Sequence, residues 1–194
     1  MGEDDRVYKT KKNISNTLIT LLNEKEFGRI TAKDICIHAM VSKSTFYSHF
    51  ADKYDLLEKL VQNYVCWFKE EIEFRFALIE NGNVAQAINM ITDKISARKK
   101  EIATLLYVRV PSADLRLELE SILYNACYSY LKEQQVEVSV PIDFVAQLYT
   151  ANAMVSINWS LSNDKNPDVV ELIDNMQGYV FDLILSGARE CNKS

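Results

Sequence analysis

Residues 31–57 read TAKDICIHAMVSKSTFYSHFADKYDLL, and the reading of this stretch decides the fold. Thr31 stands three residues before Asp34, the spacing at which a hydroxyl accepts from the third helical amide and the acid reaches back to the cap amide. A short helix therefore begins after Thr31, with Ile35 and Ala39 on its inner side. Met40 and Val41 make a turn. Ser42 is a good N-cap for the next short helix, over roughly 43–49. Phe50 and Ala51 close that helix. Asp52, with Asp55 three residues later, opens a longer one that is apolar at Leu56, Leu57, Leu60, Val61, Tyr64 and Phe68. Two short helices joined by a tight turn give helix-turn-helix geometry, in which the second helix enters the DNA major groove. Ile35, Ala39, Val41 and Phe46 form the packed side. Lys43, Ser44, Thr45, Ser48 and His49 form the outer side. Hydroxyls bond to phosphates and base edges alike, and short side chains let a helix sit close to DNA.

Upstream, Arg6 to Asn23 carries Ile14, Leu18, Leu21 and Leu22 at helical spacing and lysines at 9, 11 and 12 in its opening turns. That helix completes a three-helix N-terminal module. Downstream the pattern stays helical, with helices expected over about 84–97, 99–108, 113–134, 142–162 and 168–188 and a β-favouring connector at about 136–140. With five glycines and three prolines in 194 residues, helix breakers are scarce. The fold class is all-α.

The residues quoted above resemble a known family. Thr31, Ile35, Ala39, Val41, Ser42, Thr45, Phe46, Tyr47, Phe50, Lys53, Leu56 and Leu57 match, in register, the N-terminal signature of the tetracycline-repressor (TetR) family of bacterial transcription regulators. The resemblance covers about residues 6–60; beyond them only length and helical content match. It implies an N-terminal helix-turn-helix DNA-binding domain (1–53), joined through a long helix to a helical effector-binding and dimerisation domain (54–194). It implies that Thr31 caps the second helix, that Thr45 and Tyr47 contact DNA, and that Lys53 contacts phosphate. The full set of DNA-facing candidates is Thr31, Ser42, Lys43, Ser44, Thr45, Tyr47, Ser48, His49 and Lys53. The chain departs from the family at Cys36, where alanine is usual, and at Met40, where glycine is usual. Phe46 and Phe50 read as core aromatics, His49 as a surface or packing histidine, and Lys53 taken alone as solvated charge.

The last two helices carry broad apolar faces: Val145, Leu148, Ala151, Asn152, Val155 and Trp159 fall at three-to-four spacing, as do Val169, Leu172, Ile173, Met176, Val180, Leu183, Ile184 and Gly187. In this family such a pair forms a four-helix dimer interface, which makes Leu148, Val155, Trp159, Leu172, Met176, Val180 and Leu183 the dimer candidates. The alternative is that they pack only within the chain. The family also encloses an effector pocket with its middle helices; Trp67, Phe74, Tyr107, Tyr124 and Tyr128 are the candidates there, each with core packing as its alternative. The implied partners are double-stranded operator DNA, a small-molecule effector and a second copy of the chain. The implied function is a repressor binding a palindromic operator. A helical interaction or ligand-binding module that has lost DNA binding is the rival.

Charge fits this division. Between Arg6 and Asn63 ten Lys/Arg stand against six Asp/Glu, and from Tyr64 onward twelve stand against eighteen. The first third can approach a polyanion while the remainder stays acidic. Cys36, Cys66, Cys127 and Cys191 include no CxxC pair, so neither a disulfide framework nor a zinc site is expected. No Gly-rich phosphate loop, HExxH or nucleophile elbow occurs, and the two histidines both lie in the helix-turn-helix stretch, so an enzyme, a metal and a cofactor are not expected. No basic-then-apolar leader opens the chain and no apolar run approaches the roughly 18 residues of a membrane span; a cytoplasmic protein is expected.

Overall fold

The computed structural model describes residues 3–80, 93–133, 140–163, 166–169, 171–173, 175–176 and 178. Among them there are helices and no strand. The elements are α1 (Glu3–Glu24), a single 3-10 turn (Phe27–Arg29), α2 (Ala32–His38), α3 (Lys43–Tyr47), α4 (Lys53–Glu80), α5 (Lys99–Leu106), α6 (Leu115–Glu133) and α7 (Ile142–Ser162). Residues 93–96 are helical too, as are all the described residues from 167 to 178. Most of the helix expected at 84–97, most of the connector at 136–140, and both Val180 and Leu183 lie outside the described residues.

The chain forms two compact units. The first comprises Met1–Val65 and Thr104–Leu115, the second Cys66–Ala103 and Arg116–Ser194. In the first, Ile14, Leu18, Ile30, Ile35, Phe46, Leu56 and Leu57 have no exposed surface. Fully burying side chains of this size stabilises by about 1.5–3 kcal/mol each, which is what offsets the ordering of helices too short to stand alone. Polar ties close the remaining gaps. Asn13 Nδ2 donates to the Ala39 carbonyl at 2.8 Å, Lys25 pairs with Asp34 at 3.0 Å, and Thr104 Oγ1 donates to Asn23 Oδ1 at 2.9 Å.

In the second unit α6 buries Leu119, Leu123, Cys127 and Leu131, a four-residue repeat that keeps one face inward. Phe76 of α4 meets Tyr130 at 5.2 Å and Tyr149 at 5.8 Å between ring centroids. Burial disfavours ionisation of Tyr149 and pushes the Cys127 thiol up to about 12, so both are neutral core groups. The buried Arg75 guanidinium lies 5.7 Å from the Tyr149 ring centre and opposes both shifts. On α7 the inward face is Val145, Ala146, Tyr149, Ala153, Ile157 and Leu161. Val145 therefore belongs to the core, not to the outward row in which its spacing alone would put it. The outward row starts one residue earlier, at Phe144.

Candidate nucleic-acid interface

Each end of the α2–α3 pair is fixed by a local hydrogen-bond arrangement. At the start of α2, Asp34 N donates to Thr31 Oγ1 at 3.1 Å and Thr31 N donates to Asp34 Oδ2 at 3.0 Å, a reciprocal capping box. The Lys25 ammonium bonded to Asp34, with help from the Thr31 amide, holds that carboxyl at about 2, below the ordinary 3.8. At the end of α2, Met40 N donates to Ile37 O at 3.2 Å and Val41 N to Cys36 O at 3.0 Å. This is the Schellman pairing, and it requires a left-handed residue at Met40, whose φ is 54°. Glycine adopts that conformation without strain; here a methionine does, with its side chain 93% exposed.

α3 starts at Ser42, whose Oγ accepts from Thr45 N at 3.0 Å and lies 2.8 Å from both Ser44 Oγ and Thr45 Oγ1. Ser48 Oγ donates back to Thr45 O at 2.8 Å. Thus the hydroxyls of Ser42, Ser44 and Thr45 form a connected cluster, Ser48 is tied to the Thr45 carbonyl beside it, and Ser42, Ser44 and Ser48 stand in solvent. Lys43 and Tyr47 are exposed beside them, Tyr47 by 55%, while Phe46 and Phe50 are buried beneath. His49 is half-buried with its ring 6.4 Å from Phe50. The structure therefore gathers Ser42, Lys43, Ser44, Thr45, Tyr47, Ser48 and His49 around one five-residue helix. Thr31 caps α2.

Lys53 is placed differently. Its Nζ donates to the carbonyls of Phe27 (2.9 Å), Gly28 (3.2 Å) and Ile30 (2.7 Å), so the ammonium is directed inward to the turn before α2. The actual cap of α4 is Asp52, whose Oδ1 accepts from the amides of Tyr54 and Asp55 at 2.8 and 2.9 Å.

The five aromatic ligand candidates are divided between the two units. Tyr107 belongs to the first unit and is 78% exposed. Phe74 faces solvent, and the Trp67 ring is covered by Arg98 at 4.1 Å while its Nε1 donates to Glu71. Tyr124 and Tyr128 stack at 5.8 Å, and Tyr124 donates its hydroxyl to Asp143, which raises the phenol to about 12. Tyr124 lines an open groove of about 440 Å³, together with Glu120 and Asn125 of α6 and Gln147, Thr150 and Met154 of α7.

On the outward side of α7, Phe144, Leu148, Val155 and Trp159 are all 42–69% exposed, and Leu172 and Met176 are 59% and 50% exposed. Asn152 Nδ2 lies 3.7 Å from Met176 Sδ, so these two helical segments border one another. Phe144 was hidden from the spacing argument because α7 is apolar on two faces. Among the described residues no helix is long and apolar enough to cross a membrane, and no group of His, Cys, Asp or Glu is arranged to hold a metal ion.

Residues 16–60 match the family profile described as bacterial regulatory proteins, tetR family. The chain is 33% identical over 60 residues to an uncharacterised HTH-type transcriptional regulator, YxbF, of Bacillus subtilis (strain 168); the match covers 30% of this chain and 16% of that protein's length. Its fold is similar to a TetR transcriptional regulator from Streptococcus agalactiae 2603V (27% identity, 94% of this chain and 97% of the other, TM-score 0.62). It is also similar to FadR of Bacillus subtilis, solved in complex with stearoyl-CoA (19% identity, 91% and 98% covered, TM-score 0.61).

Proposed function

We propose that this chain, which belongs to the TetR family, is a transcriptional regulator that binds operator DNA as a homodimer and answers to a small-molecule effector. The observation that carries the reading is the linked hydroxyls of Ser42, Ser44 and Thr45, with exposed Ser48 beside them, on a short helix capped at its start and packed through Phe46. These residues fall within 16–60, the stretch that matches the tetR-family profile. Hydroxyls, Lys43 and the Tyr47 phenol suit phosphate and base-edge contacts at short range.

Five residues of helix read few bases, and two-fold repetition doubles them on a palindromic site. The exposed row of Leu148, Val155, Trp159, Leu172 and Met176 supports pairing of two copies through α7 and the segment after it. Repression follows where the operator overlaps a promoter. Effector control is assigned to the second unit, with the groove beside Tyr124 as the described candidate. The stearoyl-CoA held by the FadR of similar fold favours testing acyl-CoA compounds first. A ligand alters DNA affinity only by favouring one arrangement of the protein, with coupling of about 1–3 kcal/mol.

Mobility-shift titration against the DNA flanking the protein's own gene tests the reading. A saturable shift that survives excess mixed-sequence competitor is expected; binding no stronger than to the competitor would remove the regulator assignment and leave the interaction-module alternative.

A further inference from the structure

We infer that Lys53 is a positioning residue that latches the start of α4 to the turn before α2, and that it does not serve as a phosphate contact. The inference deepens the DNA-binding reading and rests on it for its functional meaning. An ammonium group has three N–H donors and no acceptor. Lys53 Nζ lies 2.9, 3.2 and 2.7 Å from the carbonyl oxygens of Phe27, Gly28 and Ile30, so three acceptors account for all three protons. These carbonyls close the 3-10 turn Phe27–Arg29, and the end of a helical turn attracts a cation.

Two rings wall the same group. Nζ lies 4.7 Å from the Phe27 ring centre and 5.3 Å from that of Tyr54, and the two rings meet edge to face at 5.2 Å. The stem and charge of Lys53 thus occupy a site made by its own chain. A phosphate would have to compete with three carbonyls and two aromatic faces for the same protons.

The latch joins positions 23 to 26 residues apart, and the α2–α3 pair is the chain between them. Fixing both flanks of that segment limits the angles at which α3 can be presented. Loss of the ammonium should therefore lower affinity for any duplex by loosening the unit, without changing how many phosphates are neutralised.

The test uses the full chain with Lys53→Met, which keeps an unbranched stem and removes the charge. A mixed-sequence 30-base-pair duplex is titrated at several salt concentrations, thermal unfolding is recorded, and lysine ammonium signals of the wild type are followed by nitrogen-15 NMR with and without the duplex. We expect parallel plots of log affinity against log salt, a lower unfolding midpoint for the variant, and a slowly exchanging Lys53 ammonium signal that stays in place when DNA is added. A slope shallower by about 0.9 for each copy of Lys53 would overturn the inference, because that is the signature of a lost phosphate contact. So would a rapidly exchanging Lys53 ammonium, or one that shifts on DNA. If Lys53→Met does not fold, the wild-type ammonium signal decides. If the wild type binds no duplex, the regulator reading fails, while ammonium protection and the unfolding midpoint still decide the latch.

Discussion

α3 is five residues long and sends one large side chain, Phe46, fully into the core; α7 is twenty-one residues long and apolar on two sides. An isolated five-residue helix has no stability of its own, since nucleation costs more than one turn returns. α3 exists because Ser42 caps it, Phe46 anchors it and the α2 turn aims it. Its outer face is polar and already hydrogen-bonded within itself, so it is stable in water until a polyanion arrives. α7 needs no such help to be a helix. Its difficulty is the second apolar face, where Phe144, Leu148, Val155 and Trp159 meet water. Contiguous apolar rows of this kind mark an association surface. The contrast is between an outer face whose polar groups are hydrogen-bonded among themselves and one whose large apolar side chains meet water.

The strongest way to break that contrast is to charge the apolar row. Val155 is 69% exposed in the single chain, so Val155→Asp leaves the folding of one protomer nearly untouched. In a homodimer joined through α7 the carboxylate would be buried without a partner, at a cost of several kcal/mol. Sedimentation velocity at micromolar concentration should then give two chains for the wild type and one for the variant. A dimer that survives the substitution would place the association surface elsewhere and make the α7 row incidental.

On the polar side the same test is gentler. Tyr47→Phe keeps the ring at the edge of Phe46, 5.3 Å away, and removes one hydroxyl from an exposed position. The expected loss is about 1 kcal/mol of operator affinity per site, with unfolding unchanged. Equal affinity for the two proteins would mean that the phenol faces solvent in the complex as well.

Legibility followed the same division. The stretch 31–57 was readable because caps, turn and anchor each leave a residue type at a fixed spacing; Thr31, Asp34, Ser42 and Phe46 all occupy the places their chemistry requires. Lys53 was readable as important but not in direction. Sequence gives an ammonium near a helix start, and only the folded chain shows that it donates to three carbonyls from 23 to 26 residues earlier. α7 was readable as a helix but ambiguous in phase, because a helix apolar on two faces satisfies the three-to-four spacing in more than one rotation. The aromatic ligand candidates carried no pattern at all. Tyr107 and Trp67 differ in unit and surroundings, and nothing in residue type distinguishes a phenol at a groove from one in a core.

Met40 offers a smaller effect with the opposite sign. A non-glycine residue at φ 54° is strained by about 1–2 kcal/mol, and the Schellman pairing at the end of α2 leaves it no alternative. Met40→Gly removes the strain but adds freedom to the unfolded chain, worth about 0.5–1 kcal/mol. Since the methionine side chain is 93% exposed, little packing is lost. Net stabilisation of up to about 1 kcal/mol should appear in denaturant unfolding of the first unit. A destabilised variant would show that the methionine side chain makes a contact that outweighs the strain.

The smallest effect concerns the capping box itself and appears only in acid. Asp34 is held at about 2, first by its hydrogen bond from Lys25 and then by those of Thr31, against an ordinary 3.8. A carboxyl with a depressed folded-state value binds its proton less readily when folded than when unfolded. Its contribution is therefore fully present above about 4 and is lost as pH falls through about 2. Solvent surrounds the group and screens the pair, which is why this change ranks last. Asp34→Asn should be less stable than the wild type at neutral pH, and the gap should close between about 4 and 2. The carboxyl carbon shift of Asp34 gives the cleaner measurement. It should titrate near 2 in the wild type and move up toward 3.8 in Lys25→Met, because the largest cause of the depression has been removed. A midpoint that stays near 2 in that variant would assign the depression to Thr31 alone, and Lys25 would then be a surface charge with no part in holding α2.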